Sequence, residues 1–441
     1  MKSYLLGRSH LGLVLGLAIV ASACRSAVGT AVPATVPPTG PSTPPASASA
    51  SAPASASRTS AVGSPNASDQ VIYATIESQV EAIRELHAKT TVTPVLLDSN
   101  GIQDWLTKAN AAQTNHVALA DESRLFIHLG LLPAGSSLEQ MELDLEAGQV
   151  VGFYDPASKG LYVLSDSGGV GPIQKLTFSH EYTHALQDQN FGLAKLATDT
   201  PDQGDRDLAR TALPEGDATL TMTLWAGKYL SLGDLLAVAG ESLGGPQTAQ
   251  LANTPAILQQ TLMFPYQDGL SFVQGVYNSG GWGAVDKLYS NPPDSTSQIL
   301  HPELYAAGVK PVEVSLPAVP ASLGSGWKLT MQDTLGELQL RVWLEGQNPT
   351  SAETAAAESA ASAWGGDRVG LYEGPNGAWA VLLRTAWRSS AGMAAFSAAA
   401  SQTLNRLGGQ WQACGDATHV DVAIVSSPPL LPAFGACDST N

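Results

Sequence analysis

The sequence predicts an α+β chain in two folded parts, preceded by an export leader and a tether. Three observations carry this. Apolar residues recur at helical spacing in segments such as Ile72 to His87 (Ile72, Ile76, Val80, Ile83, Leu86). Other runs alternate and are broken by turn residues, as strands are. The first 68 residues contain almost no charge and no periodic pattern.

Residues 1–23 come first. Lys2 and Arg8 precede a ten-residue apolar run, Leu11 to Val20, and then Ala21, Ser22 and Ala23. Ten residues cannot cross a hydrocarbon core of about 30 Å, so the segment reads as a signal peptide. The small residues before Cys24 resemble the lipobox of bacterial lipoproteins, which implies cleavage before Cys24 and lipidation of its thiol. Ala21 stands where that motif usually has Leu. The expected location is the outer face of the cytoplasmic membrane, with the protein held there by lipid. Residues 24–68 are rich in Ala, Ser, Thr and Pro and cannot bury enough apolar surface to order, so a disordered linker is expected.

The chain carries 22 Lys+Arg against 39 Asp+Glu, a net charge of −17 over 441 residues. Losing residues 1–23 removes two bases and no acid, leaving 20 against 39, or −19. Nucleic-acid binding is excluded as an expectation, because phosphate contacts need clustered bases. Of three Cys, Cys24 is assigned to lipid, and Cys414 and Cys437 remain as a candidate disulfide in an oxidising compartment. Two free thiols are the alternative. A monomer is expected.

The first folded part is expected over residues 69–310. Thr93 to Leu97 reads as a strand, Asp98 to Ala112 as a capped helix, and Ala120 to Leu131 as another helix. A hairpin follows, with Val150 to Tyr154, a turn at Asp155 to Gly160, and Leu161 to Leu164. Gly171-Pro172 then opens a helix, with Pro in its first turn. The second part, residues 311–441, begins with a Pro-rich extended stretch from Val312 to Leu323. Helices are expected at 333–345, 351–364 and 391–407, and strands at 369–372, 378–387 and 420–426. This reads as a small α+β accessory module, and its lone His419 as a structural residue.

The helix opened by Pro172 holds His180-Glu181-Tyr182-Thr183-His184. Histidines four apart share one helical face and can reach one ion, with Glu181 beside them to take a proton from water. A catalytic zinc site needs a third protein ligand. Asp188, Asp207 and Glu215 compete for that role. Glu215 is preferred because it follows Leu213-Pro214 and is expected to open a mostly apolar helix, where an unpaired carboxylate would be costly. Asp188 and Asp217 are candidates to orient the ligand histidines.

The run Thr177 to Gln189, with Leu213-Pro-Glu-Gly-Asp-Ala218 after it, resembles the gluzincin type of zinc metallopeptidase. More narrowly, it is similar to a bacterial group whose third ligand lies in a Glu-Gly-Asp-Ala motif. The resemblance implies Zn²⁺ held by His180, His184 and Glu215, with Glu181 as general base. It implies a zincin-like fold: a small sheet with an antiparallel edge strand, an active-site helix and a mostly helical lower subdomain. Val150 to Tyr154 would be the edge strand that pairs with extended peptide substrate. His184 and Glu215 are 31 positions apart, more than the usual gap of the best-known members. Such peptidases commonly stabilise the oxyanion with Tyr or His, which makes His301 and Tyr305 candidates, with Tyr266 behind them. The implied activity is hydrolysis of protein or peptide. The alternatives are an inactive metallopeptidase-like scaffold lipoprotein and a zinc hydrolase acting on another bond.

Overall fold

The computed structural model describes residues 62–113, 115–146, 151–165, 169–196, 201–244, 251 and 253–434. The expected signal peptide, Cys24, most of the tether and Cys437 lie outside the described residues. Order begins before residue 69. Strand β1 (Val62–Gly63) pairs antiparallel with Leu96 and Leu97. The Asn66 side chain then caps α1 (Ala67–Arg84) by accepting from the Asp69 N–H. A two-residue strand and an Asn cap leave no apolar periodicity, so composition alone extends the linker too far.

Four strands make the first sheet, in the order β1-β2-β4-β3. β2 (Pro94–Leu97) leads into α2 (Ser99–Gln113), whose start is held by Asp98 Oδ1 accepting from the Gly101 N–H at 2.7 Å. Two more helices follow, α3 (His116–His128) and α4 (Leu138–Glu146). The hairpin of β3 (Gly152–Asp155) and β4 (Gly160–Leu164) then adds β4 parallel to β2 and leaves β3 at the edge. A crossover between parallel strands needs intervening helices, and α2 to α4 supply them.

The middle of the chain is helical. α5 (Pro172–Phe191) starts at a first-turn proline and stops at Gly192, whose φ of 78° only glycine adopts at ease. α6 (Gly204–Tyr229) and α7 (Leu232–Gly244) follow. α8 (Ala256–Leu288) breaks at Gly280–Gly281, and the short α9 (Thr296–Leu300) and α10 (Pro302–Ala306) come after it.

Five antiparallel strands organise the C-terminal region in the order β5-β6-β7-β9-β8. In chain order these are β5 (Lys328–Asp333), α11 (Gly336–Glu345), α12 (Ser351–Ala361), β6 (Trp364–Glu373), β7 (Trp379–Trp387), α13 (Ser390–Leu407), β8 (Gln410–Gly415), β9 (His419–Val425) and α14 (Leu431–Phe434). The expected helices and three of the strands are there. β5, β8 and α4 were not anticipated from the sequence. β8 is an edge strand whose residues are exposed or half-buried, so it has no apolar alternation to read. Cys414 lies on β8 and is disulfide-bonded.

Packing does not divide at residue 310. Leu125 and Phe126 of α3, Leu138 of α4 and Ile257 of α8 join Trp343, Val369, Val381, Phe396 and Val422 in one buried cluster. The Trp343 indole donates to the Leu129 carbonyl at 3.1 Å. The C-terminal sheet therefore shares its core with helices of the first part, because α3 finds there the apolar surface that the four-stranded sheet does not offer it.

α6 and α8 approach almost backbone to backbone. A Cβ on Gly216 would lie 2.2 Å from the Gly269 carbonyl oxygen, and one on Gly269 would lie 2.4 Å from that of Ala212. Gly216→Ala should therefore destabilise the protein by about 1–3 kcal/mol, as overpacking does, and urea unfolding would measure it. His128 offers a second test. Its ring stacks on Trp379 at 3.6 Å, and burial lowers its pKa from 6.5 to about 4, with Arg124 lowering it further and Glu373 opposing. The unfolded chain binds the proton more readily, so the stability from neutral His128 is complete above pH 6.5 and is lost as pH falls through 4. His128→Phe, which keeps the stack, should flatten that acid limb of a stability-versus-pH curve.

Candidate metal centre

α5 is buried without interruption from Leu176 to Asp188. His180, His184 and Gln187 fall at i, i+4 and i+7 and so share one face. Glu215 stands opposite them, in the middle of α6 rather than at a helix start. The sequence-level expectation is corrected here: Leu213-Pro214 does not begin a helix but lies inside one. Proline in a helix interior frees the carbonyl one turn back. It keeps its own carbonyl, and here Pro214 O accepts from Gln187 Nε2 at 3.0 Å. The proline that suggested a helix start instead ties α6 to α5.

The three side chains converge. Each offers one ligand atom, and these atoms lie within 4.8 Å of one another. His180 Nε2 is 3.0 Å from His184 Nε2 and 3.2 Å from Glu215 Oε2, and His184 Nε2 is 3.4 Å from that same oxygen. None of the three exceeds 5% exposure, so bulk water does not screen them. Gln187 Oε1 accepts from His184 Nδ1 at 2.9 Å, which turns Nε2 toward the cluster. Asp188 and Asp207, the competing third ligands, are not part of it. Asp207 sits in the first turn of α6, more than two turns before Glu215.

Electrostatics set the character of this pocket. Burial lowers the His180 pKa. Burial also pulls His184 down, but the carboxylate of Glu215 outweighs it and raises the value to about 9. Glu215 stays ionised despite burial, held down to about 2 by the facing imidazoles. The cluster is thus a buried carboxylate with two ring nitrogens that gathers positive charge. Two imidazoles and one carboxylate are a donor set of catalytic zinc, and all three donors point at one small volume. The residues fit a divalent cation.

Glu181 lies beside them with no exposure. Its Oε2 accepts from the Tyr154 N–H at 2.8 Å, which ties it to the edge strand β3. Its Oε1 is buried with no hydrogen-bond partner. Burial raises its pKa well above the usual carboxylate range.

The remaining candidates separate. Tyr266 comes to the site, its ring centroid 6.3 Å from that of His180. His301 instead bonds Glu337 through Nε2 at 2.7 Å, and the Tyr305 hydroxyl donates to the Asn291 carbonyl at 2.7 Å. Asp188 accepts from the Tyr154 hydroxyl at 2.9 Å and pairs with Lys159, so it anchors the hairpin rather than a histidine. Asp217 receives a bidentate grip from Arg84 at 2.7 and 3.1 Å and a third bond from the Tyr289 hydroxyl at 2.6 Å. His419 is exposed and bonds Asp416, away from the cluster.

Each residue of Glu215-Gly-Asp-Ala218 now has a physical task. Glu215 faces the histidines, Gly216 admits α8, Asp217 binds Arg84, and Ala218 is fully buried. Sequence reasoning missed Gln187 and Arg84. Gln187 could have been found as a hydrogen-bonding side chain on the histidine face. Arg84 lies 133 positions from its partner, and no local pattern connects them.

Two variants test this arrangement. If the cluster holds a divalent cation, Gln187→Ala should weaken that binding about 10- to 100-fold, the usual effect of losing such a partner, and competition with a metal indicator would read it. Arg84→Met should leave Asp217 buried without a counter-charge, with the Tyr289 hydroxyl still donating to it, and cost about 3–5 kcal/mol of stability, measured by chemical unfolding.

Residues 328–427 match a family described as Domain of unknown function (DUF8575). That stretch runs from β5 to just past β9 and contains none of the clustered residues. No curated protein and no solved structure matches the chain.

Proposed function

We propose that this protein is a zinc-dependent peptidase of the gluzincin type, exported and held at the cell surface by lipid on Cys24. The observation that carries the reading is the meeting of His180, His184 and Glu215, with Glu181 beside them under the backbone of β3. The order of the first sheet supports it. β3 is an edge strand antiparallel to β4, packed beside the HExxH helix, with a mostly helical region after it. For the leader, the support is the sequence alone. Among the described residues no helix is long and apolar enough to cross a membrane.

His180, His184 and Glu215 would hold the zinc. A zinc ion bound there supplies Lewis acidity toward a substrate carbonyl and lowers the pKa of water towards about 7. Glu181 does the proton work. Its unpartnered Oε1 accepts the proton of the attacking water, and the same carboxyl returns it to the leaving amine. The Tyr154 N–H on Oε2 keeps that carboxyl in place through both transfers. β3 ends the first sheet, and an extended peptide would add there as a further strand. Tyr266, whose ring lies 6.3 Å from that of His180, is the residue we assign to the oxyanion.

Glu181→Gln should keep one zinc per chain and lose about 10²-fold or more of its peptide cleavage, in line with loss of a general base. His184→Ala should lose the zinc itself. Native mass spectrometry counts the metal, and hydrolysis of casein or a peptide library reads the activity. Cleavage by Glu181→Gln at the native rate would end the assignment. Zinc bound without any cleavage by the native chain would favour the scaffold reading instead.

A further inference from the structure

A second built feature lies away from the metal cluster, at the seam between the helical region and the C-terminal sheet. A cavity of about 560 Å³ opens where the first turn of α6, the extended segment after Lys310 and the start of β6 meet. Its volume falls within the range of small-molecule sites, and seams of this kind are common places for them.

The charges in it are unevenly satisfied. Four acids line it, and three of them are already occupied by donors of the chain. Asp367 accepts from the Leu335 and Gly336 N–H groups and from the Trp364 indole, each at 2.9 Å. Asp205 accepts from the Thr296 N–H at 3.1 Å and its hydroxyl at 2.5 Å. Asp294 is shared by three bases, Arg206, Arg210 and Lys310. The fourth acid, Glu313, is exposed.

The donors are in surplus. Arg206 Nε is buried with no hydrogen-bond partner, and it lies 3.6 Å from Asp294, beyond bonding range. Lys310 has three N–H donors and one anionic partner. Arg368 spends two of its five on the carbonyls of Val314 and Asp202. Three of the four acids are engaged by the chain's own donors while Arg206, Lys310 and Arg368 keep donors unspent, and that balance suits an acceptor beside those three bases. We propose that it binds a small anionic molecule, with a carboxylate or phosphate group held among Arg206, Lys310 and Arg368. The α6 N-terminus, which carries Arg206 into the cavity, adds its positive end to the same field. This inference does not depend on the peptidase reading, since none of its residues belongs to the metal cluster.

Isothermal titration calorimetry on the full chain at low salt tests it, with inorganic phosphate and succinate as separate probes. One or both should bind saturably at one site per chain. Lys310→Gln, at an exposed position, should weaken that binding about tenfold, the effect of losing one charge-assisted hydrogen bond. Arg206→Gln should weaken it at least as much, with circular dichroism melting confirming that the variant folds. Binding of phosphate alone or succinate alone identifies which group the site takes. Absence of saturable binding by either probe would overturn the proposal, and so would binding that both variants leave unchanged.

Discussion

Arg84 and Asp217 meet with neither side chain exposed to water, and the placement of the candidate site depends on that pair. A buried guanidinium is tolerable only if opposite charge and acceptors surround it. Here Asp217 provides two bonds, Asp286 a third at 2.7 Å, and the face of Trp282 lies 4.4 Å away. Arg84 comes from the last turn of α1, Asp217 from the middle of α6, and Asp286 and Trp282 from the end of α8. Three helices are thereby pinned two residues from Glu215. The break at Gly281, with φ of 64°, turns the end of α8 so that Trp282 and Asp286 reach the arginine.

Around that pin, small residues and backbone do the fine placement. Gly216 lets α6 lie against α8 at a distance no Cβ allows, while the Pro214 carbonyl holds Gln187 and through it the His184 ring. The hairpin is fixed to α5 by three contacts, the Tyr154 N–H on Glu181 and, on another turn, the Tyr154 hydroxyl and the Lys159 ammonium on Asp188. One tyrosine thus sets both the proposed base and the strand beside it. The pull between burial and mutual charge leaves the two histidines shifted in opposite directions.

Much of this was legible from local pattern. The four-residue spacing of His180 and His184, the hairpin before them and the first-turn proline of α5 all follow from periods and propensities within twenty residues. Glu215 lies against both histidines, although the helix start that recommends it in the sequence is absent, since Pro214 stands inside α6. A proline is a good local breaker signal and a poor one where tertiary packing holds a helix through it. His301 and Tyr305 went elsewhere because their partners, Glu337 and the Asn291 carbonyl, are set by α11 and the turn after α8.

By itself the sequence determined the helix and strand inventory around the HExxH segment, the pairing of two histidines on one face, and the acidic, three-cysteine composition of the chain. These depend on neighbours along the chain, so spacing and residue type are enough. Tertiary structure alone decided that Glu215 faces the histidines, that Asp217 serves Arg84 instead of a ligand, that Tyr266 is the aromatic residue at hand, and that α3 shares a core with the C-terminal sheet. Each of these joins residues far apart in sequence. Their contacts exist only once buried charge has found its partner and apolar faces have found each other.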